Sequence, residues 1–130
     1  MEKEFILYEQ ALALKELGFD EPCFGCYDEK GVFGLTVMSI KQYYINIKED
    51  TWNCSAPLYQ QAFRWFREKY KINGHFWDCS TPAGPWCFTV KKLDANMYKS
   101  LFVCERCRFK TPEEAELECL KKLIEIVKEK

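Results

Sequence analysis

Apolar positions along this chain recur first at helical spacing, then at strand spacing, and the alternation between the two predicts its elements. From about Glu2 to Leu17, Phe5, Tyr8 and Leu12 share one face, flanked by Ile6 and Leu14, which predicts a first helix. Gly18 is its expected stop, because glycine enters the left-handed conformation without steric cost. A second helix is predicted after Ser55, with Pro57 in its first turn, running to about Tyr70. Its stripe is Tyr59, Ala62, Phe63, Phe66 and Tyr70. The third helix carries the fullest start signal in the chain: Thr111 at the N-cap, Pro112 at the first helical position, and Glu114 closing a capping box. Acidic residues crowd its start and lysines its end, complementing the macrodipole. Leu117, Leu120, Ile124 and Val127, widened by Leu123, form its predicted buried stripe.

Between the helices the period falls to two. Cys23 to Asp28 and Val32 to Met38 read as a hairpin around Glu29-Lys30-Gly31, and Gln42 to Lys48 as a half-buried strand. Three more strands follow the second helix: His75 to Cys79, Trp86 to Lys91, and about Leu101 to Phe109. The order helix, three strands, helix, three strands, helix predicts an α+β fold, an antiparallel sheet with helices mainly on one face. Leu35-Thr36-Val37 matches Phe88-Thr89-Val90, and Pro57 matches Pro112 at nearly the same offset. These matches suggest an internal repeat of three strands and a Pro-started helix, set against coincidence in a short chain.

Composition narrows the class. At 130 residues with 48% apolar and 30% charged side chains, the expectation is one domain over 1–130 with its own core. The net charge of −1 supplies no global field toward nucleic acid or acidic lipid. The charged start Met1-Glu2-Lys3-Glu4 does not read as a secretory signal, and no apolar run approaches a membrane span. A cytoplasmic protein with reduced thiols is therefore expected, its eight cysteines notwithstanding.

Three stretches look familiar together: Ala11 to Pro22, Gln61 to Tyr70 and Glu114 to Val127. They resemble a family of short uncharacterised proteins encoded by Bacteroides-type gut bacteria and their phages or prophages. The resemblance covers the three helices and their order. It implies a bacterial or phage-encoded cytosolic origin and brings no catalytic or binding residues with it.

Four cysteines carry the sharpest chemical pattern, in two C-x-x-C motifs: Cys23 and Cys26, and Cys104 and Cys107. Four thiolates in a tetrahedron hold Zn²⁺. Against zinc, 77 residues separate the motifs, and the second sits in a predicted strand, where residues three apart face opposite ways. Core or surface thiols are expected, with a zinc site as the alternative. Neither motif opens a helix, which a redox dithiol requires. His75, the only histidine, would have to serve any Cys–His nucleophile, with Cys79 or Cys87, and no nucleophile motif accompanies it. Residues 91–110 are locally basic, and Arg106, Arg108 and Lys110 would share one face of a strand as a phosphate track. The run Phe63-Arg64-Trp65-Phe66-Arg67 could add a stacking platform. The competing explanation is that basic residues protect a sheet edge and that Phe63 and Phe66 are core. Nothing converges on a reaction. The expected function is a small non-enzymatic interaction protein with a protein partner and no cofactor. The alternative is a zinc-stabilised nucleic-acid-binding module, and a small enzyme comes third.

Overall fold

A computed structural model of the chain describes residues 4–35, 54–78, 85–94, 97–103 and 109–129. The element order is α1 (Tyr8–Glu16), β1 (Gly25–Tyr27), β2 (Phe33–Leu35), β3 (Cys54–Ala56), α2 (Tyr59–Tyr70), β4 (Ile72–Asp78), β5 (Trp86–Asp94), β6 (Met97–Val103) and α3 (Pro112–Lys128). The fold is α+β, in the expected order of helices and strands. The strands form two antiparallel sheets rather than one, β2-β1-β3 and β4-β5-β6. Contacts gather into two compact units, Met1–Ala62 and Phe63–Lys130. No described helix is long and apolar enough to cross a membrane.

In the first unit α1 starts six residues later than its periodicity predicts. Phe5 is drawn into a bridge with Leu58, and the Ile6 amide donates to the Pro57 carbonyl, so this stretch is extended and not helical. The buried face of α1 is consequently Gln10, Ala11 and Leu14. Its end follows expectation. Gly18, at φ 95°, lets the amides of Gly18 and Phe19 return to the carbonyls of Lys15 and Leu14, a Schellman motif with Phe19 and Leu14 both buried. The β1–β2 hairpin turns over Glu29-Lys30-Gly31 as predicted. Asp28 Oδ1 accepts from the amides of Lys30 and Val32, and Gly31 takes φ 80°. β3 was not legible as a strand: Cys54-Ser55-Ala56 has neither β-branched nor aromatic residues, yet all three are buried against β1. The predicted strand Gln42–Lys48 lies outside the described residues.

α2 follows Pro57 and buries Tyr59, Ala62, Phe63 and Phe66 as its stripe requires, with Trp65 buried beside them. In the second unit β4, β5 and β6 form a meander, with β5 central. β4 matches β5 residue for residue from Ile72↔Lys92 to Asp78↔Trp86. β6 runs earlier than predicted, pairs with β5 through a register shift between Val90 and Lys91, and leaves Phe109 in an isolated bridge to Trp86. α3 packs on β4 and β5 through Ala115, Cys119, Leu120, Leu123, Ile124 and Val127. Its N-terminus is the expected one with one change: Thr111 accepts from the Glu114 amide, while the Glu114 carboxylate reaches the Lys110 amide. The suggested repeat is not confirmed, and Thr36 and Val37 of its first triplet lie outside the described residues. Among the described residues Leu35 ends an outer strand, β2, whereas Phe88 lies in the central strand β5.

Candidate interaction surface

Side chains in β4 alternate between two faces, and Gly74 identifies them. A Cβ at Gly74 would lie 2.6 Å from Cys119 Sγ and 3.1 Å from Leu123 Cδ1, so this is the face that α3 covers. His75 and Trp77 therefore point to the opposite face. There the two rings stack at 5.7 Å between centroids and 15° between planes, with His75 exposed and Trp77 half-buried. Lys91, the register partner of Asn73, is exposed on the same side. Farther along β5, Thr89 and Cys87 are buried, so the accessible part of this face is a strip along β4 closed at one end by an ammonium group. His75 pairs with Thr89 and not with a cysteine, while Cys87 pairs with Trp77 and is buried. The candidate partner Cys79 lies outside the described residues. The stack was readable in principle: a strand beginning at His75 puts Trp77 on the same face two residues on.

The first C-x-x-C motif is divided by a bend at Phe24: Cys23 lies before it in a single bridge and Cys26 after it in β1. Cys23 Sγ donates to the Glu21 carbonyl at 3.3 Å and Cys26 Sγ to the Gly34 carbonyl at 3.5 Å. Burial pushes the Cys23 thiol up to about 12, with Glu21 and Cys26 adding to it and hydrogen bonds from Gln61 and Ser55 pulling back. Burial, then the neighbouring Cys54, pushes Cys26 up to about 11. Cys54 is likewise raised by burial to about 11 against the pull of Lys15. In the second unit Cys119 is raised by burial, then by Glu116, to about 12, opposed by a hydrogen bond from the His75 backbone. Thiols so displaced are neutral donors at physiological pH, which suits packing and not nucleophilic attack. Cys104 and Cys107 lie outside the described residues. One sheet was the expected means of bringing the two motifs together, but β1 and β6 belong to different sheets. Among the described residues no group of three or more His, Cys, Asp or Glu is arranged to hold a metal ion.

Arg106 and Arg108 also lie outside the described residues. Lys110 is exposed, but it occupies the bend before α3, where its amide donates to Glu114, and is not part of a strand. The proposed stacking platform on α2 is not available: Phe63, Trp65 and Phe66 are all buried. Trp65 meets Phe66 and Tyr70 edge-on, with Lys69 Nζ 5.0 Å from its ring centroid. Trp65 lies three residues after Ala62 and one before Phe66, at the border of the stripe, and its large apolar area is buried with them.

No family model matches the chain, and neither a curated protein nor a solved structure is significantly similar to it.

Proposed function

We propose that this is a small non-enzymatic binding protein of bacterial or phage origin, acting in the cytoplasm on a protein partner through the open face of β4. The observation that carries the reading is the His75–Trp77 stack, two flat rings presented side by side away from α3. Aromatic side chains of this kind anchor protein interfaces because they bury large area at little conformational cost. Lys91 at the end of the strip supplies a charge by which a partner is oriented. The thiols of Cys23, Cys26, Cys54 and Cys119, raised by burial, favour the non-enzymatic half of the reading, since a neutral buried thiol suits packing and not attack.

The test is competitive. Proteins captured from the host lysate by the wild-type chain should be lost with Trp77→Ala and with His75→Ala, and kept with Phe24→Ala, whose ring is exposed in the other unit. Retention by Trp77→Ala would refute the assignment. Oligonucleotide binding is measured in parallel. Micromolar affinity that falls steeply with salt, at about −0.7 to −0.9 in log–log slope per phosphate neutralised, would replace the protein partner with nucleic acid.

A further inference from the structure

The face of β4 turned away from α3 changes character along its length. One end holds the stacked rings of His75 and Trp77. The other gathers ammonium groups: Lys91 is exposed opposite Asn73, Lys71 is exposed immediately before the strand, and Lys92 is half-buried opposite Ile72. Among the described residues, β4 and β5 place no carboxylate on this face, in a chain with 20 acidic against 19 basic residues. Lys71 stands there at φ 58°, directly after α2, in a left-handed conformation that glycine would enter without steric cost. The strand itself is firmly held. β5 pairs with all seven of its residues, and Cys119 accepts from the His75 backbone, so rings and cations are presented at a fixed spacing. From Asn73 to Trp77 that spacing is about 13 Å of strand.

We propose that this face takes an extended acidic segment of a protein partner. An apolar side chain of that segment lies against the Trp77 and His75 rings, and carboxylates about four residues along it meet Lys91 and Lys71. The inference rests on the proposed function and specifies the partner's chemistry. Its ground is charge complementarity: a strip with cations at one end and no described carboxylate attracts acidic chain and repels basic chain. The aromatic end supplies the contact area that two solvated ion pairs lack. A nucleic-acid strand fits this layout less well. Its phosphates follow one another along the whole strand and call for cations beside each, whereas here the cations stand at one end. The rings also leave no slot for a base. Their centroids are 5.7 Å apart, and a third ring between them needs about 3.5 Å on each side.

Selection of a displayed random-peptide library on the full chain tests it. Enriched peptides should carry an apolar residue and, about four residues away, a pair of Asp or Glu. The most enriched peptide, labelled and titrated by fluorescence anisotropy, should bind about tenfold more weakly to Lys71→Glu/Lys91→Glu. Its binding to the wild type should weaken as salt rises, a measurement that needs no variant. Both lysines are exposed, so the variant should keep the wild-type circular dichroism. Lys71→Gly/Lys91→Gln removes the charges while relieving the backbone at residue 71, and should lose affinity with no loss of thermal stability. Neutral peptides that are lost with Trp77→Ala but kept by both lysine variants would overturn the acidic segment and leave the aromatic surface standing. Acidic peptides that Trp77→Ala still binds would overturn the surface itself. No enrichment, enrichment of basic peptides, or tighter binding of a short oligodeoxythymidine than of the selected peptide would each overturn the proposal.

Discussion

The two units bury comparable side chains by different means. In Met1–Ala62 each of the described strands is three residues long, too short for its ladder to hold it, and side chains bond the backbone instead. The Tyr27 hydroxyl donates to the Ile6 carbonyl at 2.7 Å, Gln61 Nε2 to the Pro22 carbonyl at 2.8 Å, and the thiols of Cys23 and Cys26 to carbonyls of their own. In Phe63–Lys130 strands of seven, nine and seven residues satisfy one another, and α3 closes one face with aliphatic side chains. A fold held by polar side chains is sensitive to ionisation. One held by ladders and aliphatic packing is sensitive to volume.

Alkaline pH should break the first unit most severely. A thiol raised in the folded state contributes stability that is complete below its unfolded value near 9 and is lost as pH climbs toward the folded value. Each tenfold in proton affinity is about 1.4 kcal/mol, so on going to pH 10, one unit above the unfolded value, each such thiol gives up at most about that much. Urea unfolding at pH 7 and pH 10 should show a large loss of stability. That loss should shrink far more in the Cys23→Ala/Cys26→Ala/Cys54→Ala variant than in Cys119→Ala, each judged against its own value at pH 7. Equal effects would erase the distinction between the units.

Volume changes should act more strongly on the second unit. Leu120 and Leu14 are both fully buried, Leu120 within a stripe of six buried residues and Leu14 within one of three. Leu120→Ala should cost about 2–5 kcal/mol by denaturant titration, with Leu14→Ala toward the lower end because fewer fixed neighbours surround the cavity. A larger cost at Leu14 would reverse the order. The crowded glycines give a finer probe. An added Cβ at Gly25 would sit 2.8 Å from Phe33 Cε2, 2.9 Å from Phe5 Cδ1 and 3.0 Å from the Ala56 carbonyl oxygen. At Gly74 the obstacles are the ends of Cys119 and Leu123. Each Gly→Ala change should cost about 1–3 kcal/mol. Cys119→Ala should recover most of the loss at Gly74, whereas no single truncation should recover Gly25, where part of the obstacle is backbone.

The same contrast decides what the sequence disclosed. The long, strongly patterned elements were legible: α2, α3 with its Thr111 cap, the Glu29-Lys30-Gly31 turn, and the start of β5 at Trp86. The misses fall where tertiary pairing overrode local pattern. Phe5 and Ile6 carry helical spacing, yet Leu58 and Pro57 hold them extended; Cys54-Ser55-Ala56 carries no strand signal, yet β1 recruits it. The interaction surface was half-legible. His75 stood out as a lone histidine and Trp77 did not. The pairing of their rings depends on β4 being a strand throughout, and on α3 taking the face that Gly74 leaves open.

Helix starts provide the smallest test of the comparison. α3 has Thr111 at its N-cap, accepting from the Glu114 amide at 3.2 Å, while α1 has Leu7 there, half-exposed and with no side-chain cap bond. Leu7 already has the extended backbone, φ −75° and ψ 161°, that a capping residue adopts, so a polar side chain placed there would need no rearrangement. Thr111→Ala should lower stability by about 1 kcal/mol, and Leu7→Asp should raise it by a similar amount, since its carboxylate would both accept an orphan amide and face the positive end of the helix dipole. Opposite changes of comparable size, read in the same denaturant titration, would show that the first unit simply lacks a device the second possesses. If Leu7→Asp were destabilising, the Leu7 side chain would be contributing more through its buried half than a cap returns, and the first unit's helix would be held by tertiary contact from its first residue.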